Sequence, residues 1–244
     1  MPNYQTDDLR GTIIFGNGTS KNYGCIIEEV PSLGAPARKS TSFAVPGRNG
    51  VILMQDDAFE DVIKSYNVAL NIDNNDELTE VTRAFCRWLY QKGYQRLEDS
   101  FEPDVYRLAY FNGPVDIENL LMMYGKATIN FVCRAERFLK SGETFIDVED
   151  GDTLHNNTGF DSKPLIHLEG TGACSITIGS QTMNVALTDY INIDCDRMNA
   201  YRQEGENANT LVSGEFPLIK SGANAITITG NISKASIRPN YYTL

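Results

Sequence analysis

The stretch VPGRNG (residues 45–50) lies between two segments rich in strand-forming residues, TSFAV before it and VILM after it. A hairpin with a two-residue loop needs only an Asn-Gly pair, because these residues accept the positive φ angles of a primed turn. Here Pro46 also fixes its own φ and ends a strand, and Gly47 accepts backbone angles closed to other residues. The stretch therefore predicts a hairpin whose stiff loop presents Arg48, with the Asn-Gly pair in a primed turn.

The rest of the N-terminal half carries strand patterns and one helix pattern. Tyr66, Val68 and Leu70 alternate with polar residues, as in a half-buried strand. Over residues 75–92, apolar residues recur at spacings of three and four and form one stripe: Leu78, Val81, Phe85, Trp88 and Leu89. Gly93 follows in the position of a C-terminal cap. These patterns predict a sheet with one helix packed across it.

The C-terminal half shows short strand patterns separated by turn residues. Residues 140–162 are polar, and strand patterns spaced by roughly 8–12 residues follow, as in an antiparallel sandwich. Gly170, Thr171 and Gly172 are predicted to form a turn between two of these strands. The sequence therefore predicts a mainly β chain of two domains, an α+β domain over residues 1–140 and a β-sandwich over residues 141–244.

Composition excludes several classes of protein. The net charge is −11, and neither half has the basic patch that binding of nucleic acid requires. No apolar run approaches the roughly 20 residues that span a bilayer, and the N-terminus has no secretion signal pattern. The 5 cysteines form no CxxC pair, which indicates folding in a reducing compartment.

A search for catalytic, cofactor and metal sites finds none. The chain has no phosphate-binding loop, nucleophile elbow or zinc-protease motif. His155 and His167 are the only histidines, and neither has a nucleophile and an orienting partner in the pattern. The acidic groups at residues 147–152 and 194–196 miss the spacing of a Ca²⁺ loop and are read as a solvated rim. We therefore expect no enzyme activity.

Sugar binding is the alternative function, because β-sandwiches host many lectin sites. Such a site commonly stacks an exposed aromatic ring on the sugar. Four tyrosines of the second domain are candidates, and each can equally pack against its own sheet: Tyr190, Tyr201, Tyr241 and Tyr242.

Residues 14–53 resemble the N-terminal part of distal tail proteins, called Dit, from long-tailed phages and prophages of Gram-positive hosts. Three pieces carry the resemblance in order: IIFGNGTSKNYGCIIEEV (13–30), the spacer PSLGAPAR (31–38) and the strand ending in VPGRNG (45–50). The first turn has Gly16 before Asn17 and departs from the usual order of that family. The resemblance continues less sharply to INFVCRAERF (129–138).

The resemblance implies a structural virion protein, the baseplate hub of a siphovirus tail. In such proteins the first domains form the belt of a hexameric ring, and a galectin-like second domain projects outward. The implied partners are further copies of the chain, the tail tube protein, the tail-tip or tail-associated lysin protein and a receptor-binding protein. DNA would pass through the channel without specific binding, and the protein would assemble in the host cytoplasm and reside in the virion.

The loop then becomes a candidate oligomer interface. It comprises Pro46, Gly47, Arg48, Asn49 and Gly50. A guanidinium on a stiff loop can make a forked contact with a carboxylate or carbonyl of a neighbouring chain. The alternative is a tight turn with a solvated arginine. A tube-forming tail protein is a third class, which predicts long stacked polymers instead of single rings.

Overall fold

The computed structural model separates the chain into two compact units, one reaching Arg137 and the other running from Phe138 to Thr243. The division lies close to residue 140, the predicted domain boundary. The structure describes the following parts of the chain: residues 11–32, 34–71, 75–115, 117–121, 124–203 and 205–244.

The first unit is built on one large sheet. Its elements are β1 (Ile13–Phe15), β2 (Gly18–Thr19), a 3-10 helix (Ser20–Tyr23), β3 (Cys25–Ile27), β4 (Arg38–Ala44), β5 (Val51–Phe59), β6 (Val62–Asn71), α1 (Asn75–Leu89), β7 (Gln95–Asp99), β8 (Val105–Phe111), β9 (Ile117–Leu121) and β10 (Tyr124–Leu139). The strand order is β2-β1-β7-β8-β10-β6-β3, and β9 also pairs with β10. Strands β4 and β5 form a separate two-stranded sheet.

Aromatic rings fill the core between this sheet and α1. Phe131 is fully buried, with its ring centroid 4.7 Å from that of Phe15 and 5.9 Å from that of Tyr66. From the helix, Trp88 packs against Phe15 and its indole Nε1 donates a hydrogen bond of 3.0 Å to the Phe15 carbonyl. Phe85 is buried beside it. The prediction of one helix packed by its apolar stripe is confirmed, although the Leu78 side chain lies outside the described residues.

The helix ends earlier than the sequence predicts. It stops at Leu89, not near residue 92, and Gly93 lies beyond its last turn. The side chain of Gln91 provides the physical reason, because its Nε2 donates to the carbonyls of Trp88 at 3.0 Å and Phe15 at 3.2 Å. The side-chain amide of Gln91 thus satisfies the Trp88 carbonyl at the end of the helix, which the backbone of a glycine cap would otherwise do.

The second unit contains the following elements after a 3-10 helix (Lys140–Gly142): β11 (Ile146–Asp147), β12 (Thr153–Asn156), β13 (Leu165–Ile178), β14 (Gln181–Leu187), β15 (Tyr190–Asp194), β16 (Asn199–Tyr201), a 3-10 helix (Asn209–Leu211), β17 (Val212–Gly214), β18 (Gly222–Arg238) and β19 (Tyr242–Thr243). The order is β11-β18-β13-β14-β17. Strand β12 also pairs with β18, and β15 pairs with β13 and β16. Both antiparallel pairing and the mainly β fold class are confirmed.

Two long strands replace four predicted short ones in this unit. The predicted turn at residues 170–172 is wrong, because these residues continue β13. The register against β18 shifts between Glu169 and Gly170 and again between Thr171 and Ser175, which marks β-bulges. A Cβ on Gly170 would lie 2.2 Å from the Asn231 carbonyl oxygen, so glycine is needed for this close approach. The sequence signal was a bulge signal, not a turn signal.

The polar segment at residues 140–162 also contains structure. Strands β11 and β12 lie in it, and both pair with β18. The core of the second unit is largely aliphatic, with Ile166, Leu168, Ile176 and Ile193 fully buried or nearly so. The part of the chain that the structure describes has no helix long and apolar enough to cross a membrane.

Candidate assembly interface

The hairpin formed by β4 and β5, which we call the 38–59 hairpin, stands apart from the core of the first unit. Every residue of β4 is exposed, and the described residues of β5 are exposed apart from the half-buried Phe59. The two strands pair only with each other among the described strands, with Phe43 opposite Ile52 and Ala44 opposite Val51. Each therefore has one edge whose backbone groups can pair with another strand.

The loop of this hairpin contains a turn of a different type from the one predicted. The amide of Arg48 donates to the Val45 carbonyl at 3.2 Å, and Gly47 at the third position has a φ of 79°. Proline in second place and glycine with positive φ in third place define a type II turn. The predicted primed turn at Asn49 is wrong, since that residue is not among those with positive φ.

The structure brings the five predicted interface residues together at the tip, and all five are exposed: Pro46, Gly47, Arg48, Asn49 and Gly50. No atom lies within 4 Å of a Cβ built on either glycine, so the tip is sterically open. The Arg48 side chain makes no hydrogen bond or ion pair with any described residue. The role of these five tip residues as an oligomer interface stays a prediction.

Both faces of the hairpin carry apolar side chains, a feature that the sequence analysis missed. One face presents Phe43, Ile52 and Met54, and the other presents Val51 and Leu53. Their exposed fractions lie between 43% for Ile52 and 60% for Met54. The signal was present in the uninterrupted VILM run, because strands buried on both faces lack alternation.

The base of the hairpin is held by polar contacts. The Glu60 amide donates to the Ala37 carbonyl at 2.8 Å, and the Arg38 guanidinium lies 4.8 Å from the centre of the Phe59 ring. The segment that enters the hairpin is held by Arg137, whose Nη2 donates to the Gly34 carbonyl at 2.8 Å. The first two contacts close the base of the hairpin, and the third attaches the segment before it to the first unit.

Arg137 also belongs to an ion cluster inside the first unit. The Glu102 carboxylate accepts from Lys64 at 3.0 Å and from Arg107 and Arg137 at 3.3 Å each. Asp99 lies 3.6 Å from Lys64 and accepts the Tyr66 hydroxyl at 2.7 Å. Burial acts to raise the pKa of Glu102, but the hydrogen bond and charge of Lys64, together with Arg107, outweigh it and lower that pKa.

A polar groove of about 520 Å³ lies elsewhere on the first unit. Glu28 pairs with Lys126 at 2.8 Å, while Glu29 accepts a hydrogen bond of 3.0 Å from the Asn67 amide. The side-chain Oδ1 of Asn67 in turn accepts from the Thr128 hydroxyl at 2.9 Å. Pro114 and Ala127 provide an apolar wall.

His167 and two of the acidic residues of the second unit, Asp150 and Asp194, have hydrogen-bonding partners. The imidazole Nδ1 of His167 lies 2.8 Å from the side-chain Oδ1 of Asn192, and His155 lies on the exposed face of β12. Asp150 accepts from the Ile228 amide at 2.8 Å, and Asp194 accepts from the amides of residues 196 and 197 at 3.0 Å each. Within the described residues, no group of three or more such ligands could hold a metal ion.

The four tyrosine candidates fall into two groups. Tyr190 lies on the outward face of β15 with its ring 5.9 Å from that of His167, and Tyr201 on β16 pairs in register with Asn192. Tyr241 instead packs against the aliphatic core, and burial raises the pKa of its hydroxyl. Tyr242 stacks on Phe160 with centroids 5.6 Å apart.

The buried thiols are inert by environment. Burial raises the pKa of Cys25 to about 12, of Cys133 to about 11 and of Cys195 to about 12. All five cysteines are free. Such thiols remain protonated at neutral pH and are poor nucleophiles.

Comparison with known proteins places these features in context. Residues 16–133 match the family model described as phage tail protein RIFT-related domain. The crystal structure of the Dit protein (gp 19.1) of phage SPP1, described as a paradigm of the hub adsorption apparatus in phages that infect Gram-positive bacteria, is similar with a TM-score of 0.77 at 12% identity. The alignment covers 96% of this chain and 99% of the SPP1 Dit chain.

Two baseplate structures are similar at lower scores. That of phage P2 in its activated conformation with Ca has a TM-score of 0.55 at 12% identity, and that with Sr has 0.53 at 11%. Each covers 93% of this chain and 96% of the other. A search of curated proteins finds no match. The predicted resemblance to distal tail proteins is confirmed.

Proposed function

Because residues 16–133 match the family model of the phage tail protein RIFT-related domain and the chain has a fold similar to that of a Dit protein, we propose that this protein is the distal tail hub of a siphovirus. It is a structural component of the tail and acts by self-association. Six copies form a ring at the far end of the tail tube, with the first domain, residues 1–140, in the belt and the second, residues 141–244, outside it.

The observation that carries this proposal is the 38–59 hairpin. A two-stranded ribbon is marginally stable alone, and exposed apolar side chains on both of its faces mark a surface that another protein covers. A ribbon apolar on both sides fits between two bodies, so that each face loses contact with water. A neighbouring copy of the same chain provides such a body in a closed ring.

The proposed assembly has further partners. The tail tube protein lies on one side of the ring, the tail-tip or tail-associated lysin protein on the other, and a receptor-binding protein docks on the second domain. DNA passes through the channel. A net charge of −11 favours passage without binding, because a polyanion gains no counterion release from an acidic surface.

The experiment is negative-stain microscopy and mass photometry of the purified full chain over a range of concentrations. Single six-membered rings support the hub, whereas long tubes support a tube-forming tail protein. Arg48→Ala is expected to weaken ring formation more than it lowers the melting temperature, because Arg48 lies at the exposed tip. If the Arg48→Ala protein folds and forms rings as the wild type does, Arg48 is not part of the interface.

Sugar binding by the second domain is the second candidate function. The observation in its favour is the outward face where Tyr190, His167 and Asn192 lie together. A glycan array compares the wild type with Tyr190→Ala and Tyr201→Ala, and Tyr241→Ala is the control because that ring packs on the core. Loss of glycan binding in the first two variants alone supports a lectin.

A further inference from the structure

We propose that the tip of the 38–59 hairpin docks into the Glu28–Glu29 groove of a second copy of this chain, where Arg48 pairs with Glu29. This inference rests on the proposed ring and names its two contacting surfaces. A head-to-tail ring requires two different patches on each chain, one that inserts and one that receives. The hairpin tip and the groove are these two patches.

Charge complementarity selects the groove. Arg48 is the one charged residue of the tip and has no hydrogen-bonding or ionic partner among the described residues of its own chain. In the groove, Lys126 lies 2.8 Å from Glu28 and compensates its charge. Glu29 has an amide contact only, which leaves its negative charge uncompensated within the described part of the chain.

The geometry of Glu29 suits a guanidinium. Asn67 holds one carboxylate oxygen of Glu29 at 3.0 Å and is itself held by Thr128 at 2.9 Å. The other carboxylate oxygen, Oε1, makes no hydrogen bond with the described residues. A carboxylate that is oriented in advance and has one open oxygen can accept a charge-assisted hydrogen bond from arginine with little loss of side-chain entropy.

Size and polarity of the surroundings also match. Nine residues of β5 span about 30 Å at roughly 3.3 Å per residue, so the tip can reach well beyond its own base. The groove of about 520 Å³ can accommodate an arginine side chain together with its neighbours. Pro114 and Ala127 offer an apolar wall to Val45, which is 38% exposed in the single chain.

The test is a charge exchange in the full-length protein, with self-association measured by analytical ultracentrifugation. Arg48→Glu and Glu29→Arg are each expected to weaken self-association at least about tenfold, because each places like charges together. The double variant restores the attraction and returns the affinity to within about threefold of the wild type. Lys39→Glu is the matched control, since it reverses another exposed charge of the same hairpin and should leave the affinity unchanged.

Circular dichroism and the unfolding midpoint verify that each variant folds. If Glu29→Arg does not fold, Glu29→Gln provides a milder change at the same position. If the wild type forms rings and Glu29→Arg forms them equally well, the groove is not the acceptor and the hub proposal stands. Single variants that are weakened without rescue in the double variant overturn the direct pairing of Arg48 with Glu29. A wild type that remains monomeric at every concentration overturns both the hub proposal and this inference.

Discussion

The two units differ in where they keep their apolar side chains. The second unit encloses an aliphatic core, and its large exposed apolar residues lie at two separate places in the sequence, Phe145 with Ile146 and Met198. The first unit encloses an aromatic core but leaves most of the large apolar side chains of the 38–59 hairpin in solvent. The contrast shows that, among the described residues, exposed large apolar side chains are concentrated in the 38–59 hairpin of the first unit, the surface that we propose for association.

The two units also use carboxylates differently. In the first, Glu102 lies among three cations inside the fold. In the second, Asp150 and Asp194 accept backbone amides near the surface. Buried charges are costly unless paired, so the first unit depends on its ion cluster while the second depends on hydrogen-bonded loops.

The largest expected effect comes from the aromatic core. Phe131→Ala should lower the free energy of unfolding of the first unit by about 4 kcal/mol, because it removes a fully buried ring and leaves a cavity. The chain has one tryptophan, Trp88, in that core, so its fluorescence during denaturation reports on this unit. Val132→Ala is the control on the opposite face of β10. Equal losses in the two variants would contradict an aromatic core that dominates stability.

The next largest effect comes from the ion cluster. Glu102→Gln keeps the shape of the side chain but leaves Lys64 with Asp99 alone and removes the carboxylate that Arg107 and Arg137 contact. It should cost about 3 kcal/mol by the same fluorescence measurement. Glu28→Gln disrupts a more exposed pair and should cost under about 1 kcal/mol. A loss for Glu102→Gln no greater than that for Glu28→Gln would show that the cluster is not a stabilising element.

Apolar residues of the hairpin should affect assembly and not stability. Phe43→Ser and Leu53→Ser change opposite faces, and each should weaken self-association about tenfold if both faces are covered in the ring. The unfolding free energy should change by less than about 0.5 kcal/mol, because both side chains are exposed in the single chain. If only one variant impairs ring formation in mass photometry, the hairpin contacts a partner on one face alone.

The smallest effect is expected in mild acid. The pKa of Glu102 is lowered by folding, so its contribution to stability is present above its ordinary value of 4.5 and is lost as pH falls below that value through the folded pKa. Trp88 fluorescence should therefore show the first unit losing stability below pH 4.5. Glu102→Gln should flatten this pH dependence. An unchanged slope in that variant would assign the acid response to other carboxylates.

Several features could be predicted from short stretches of sequence, because they depend on neighbours along the chain. The apolar stripe of α1 and the alternation around Val68 specify a helix and a strand by their periods. The loop at residues 45–50 favours a hairpin because proline fixes its own φ and glycine accepts the positive φ angles of a turn. The same residues carry the resemblance to distal tail proteins.

Other features depend on residues far apart in the chain. Glycines at residues 170 and 172 are compatible with a turn or with a β-bulge. The bulge forms because this segment pairs with β18, which lies some sixty residues further along the chain. Gln91 shortens the helix through a carbonyl on β1. The Glu102 cluster contains side chains from four separate segments, and no local sequence pattern predicts that these side chains contact one another.

The sequence by itself determined a mainly β chain with one helix, a stiff arginine-bearing loop and no catalytic motif, since periodicity and backbone restriction act over a few residues. Only the tertiary structure decided that the VILM run of β5 lies outside the core and that Glu29 keeps an open carboxylate oxygen. Burial is a property of the packed chain. An apolar strand appears the same in sequence whether its own fold or a neighbouring molecule covers it.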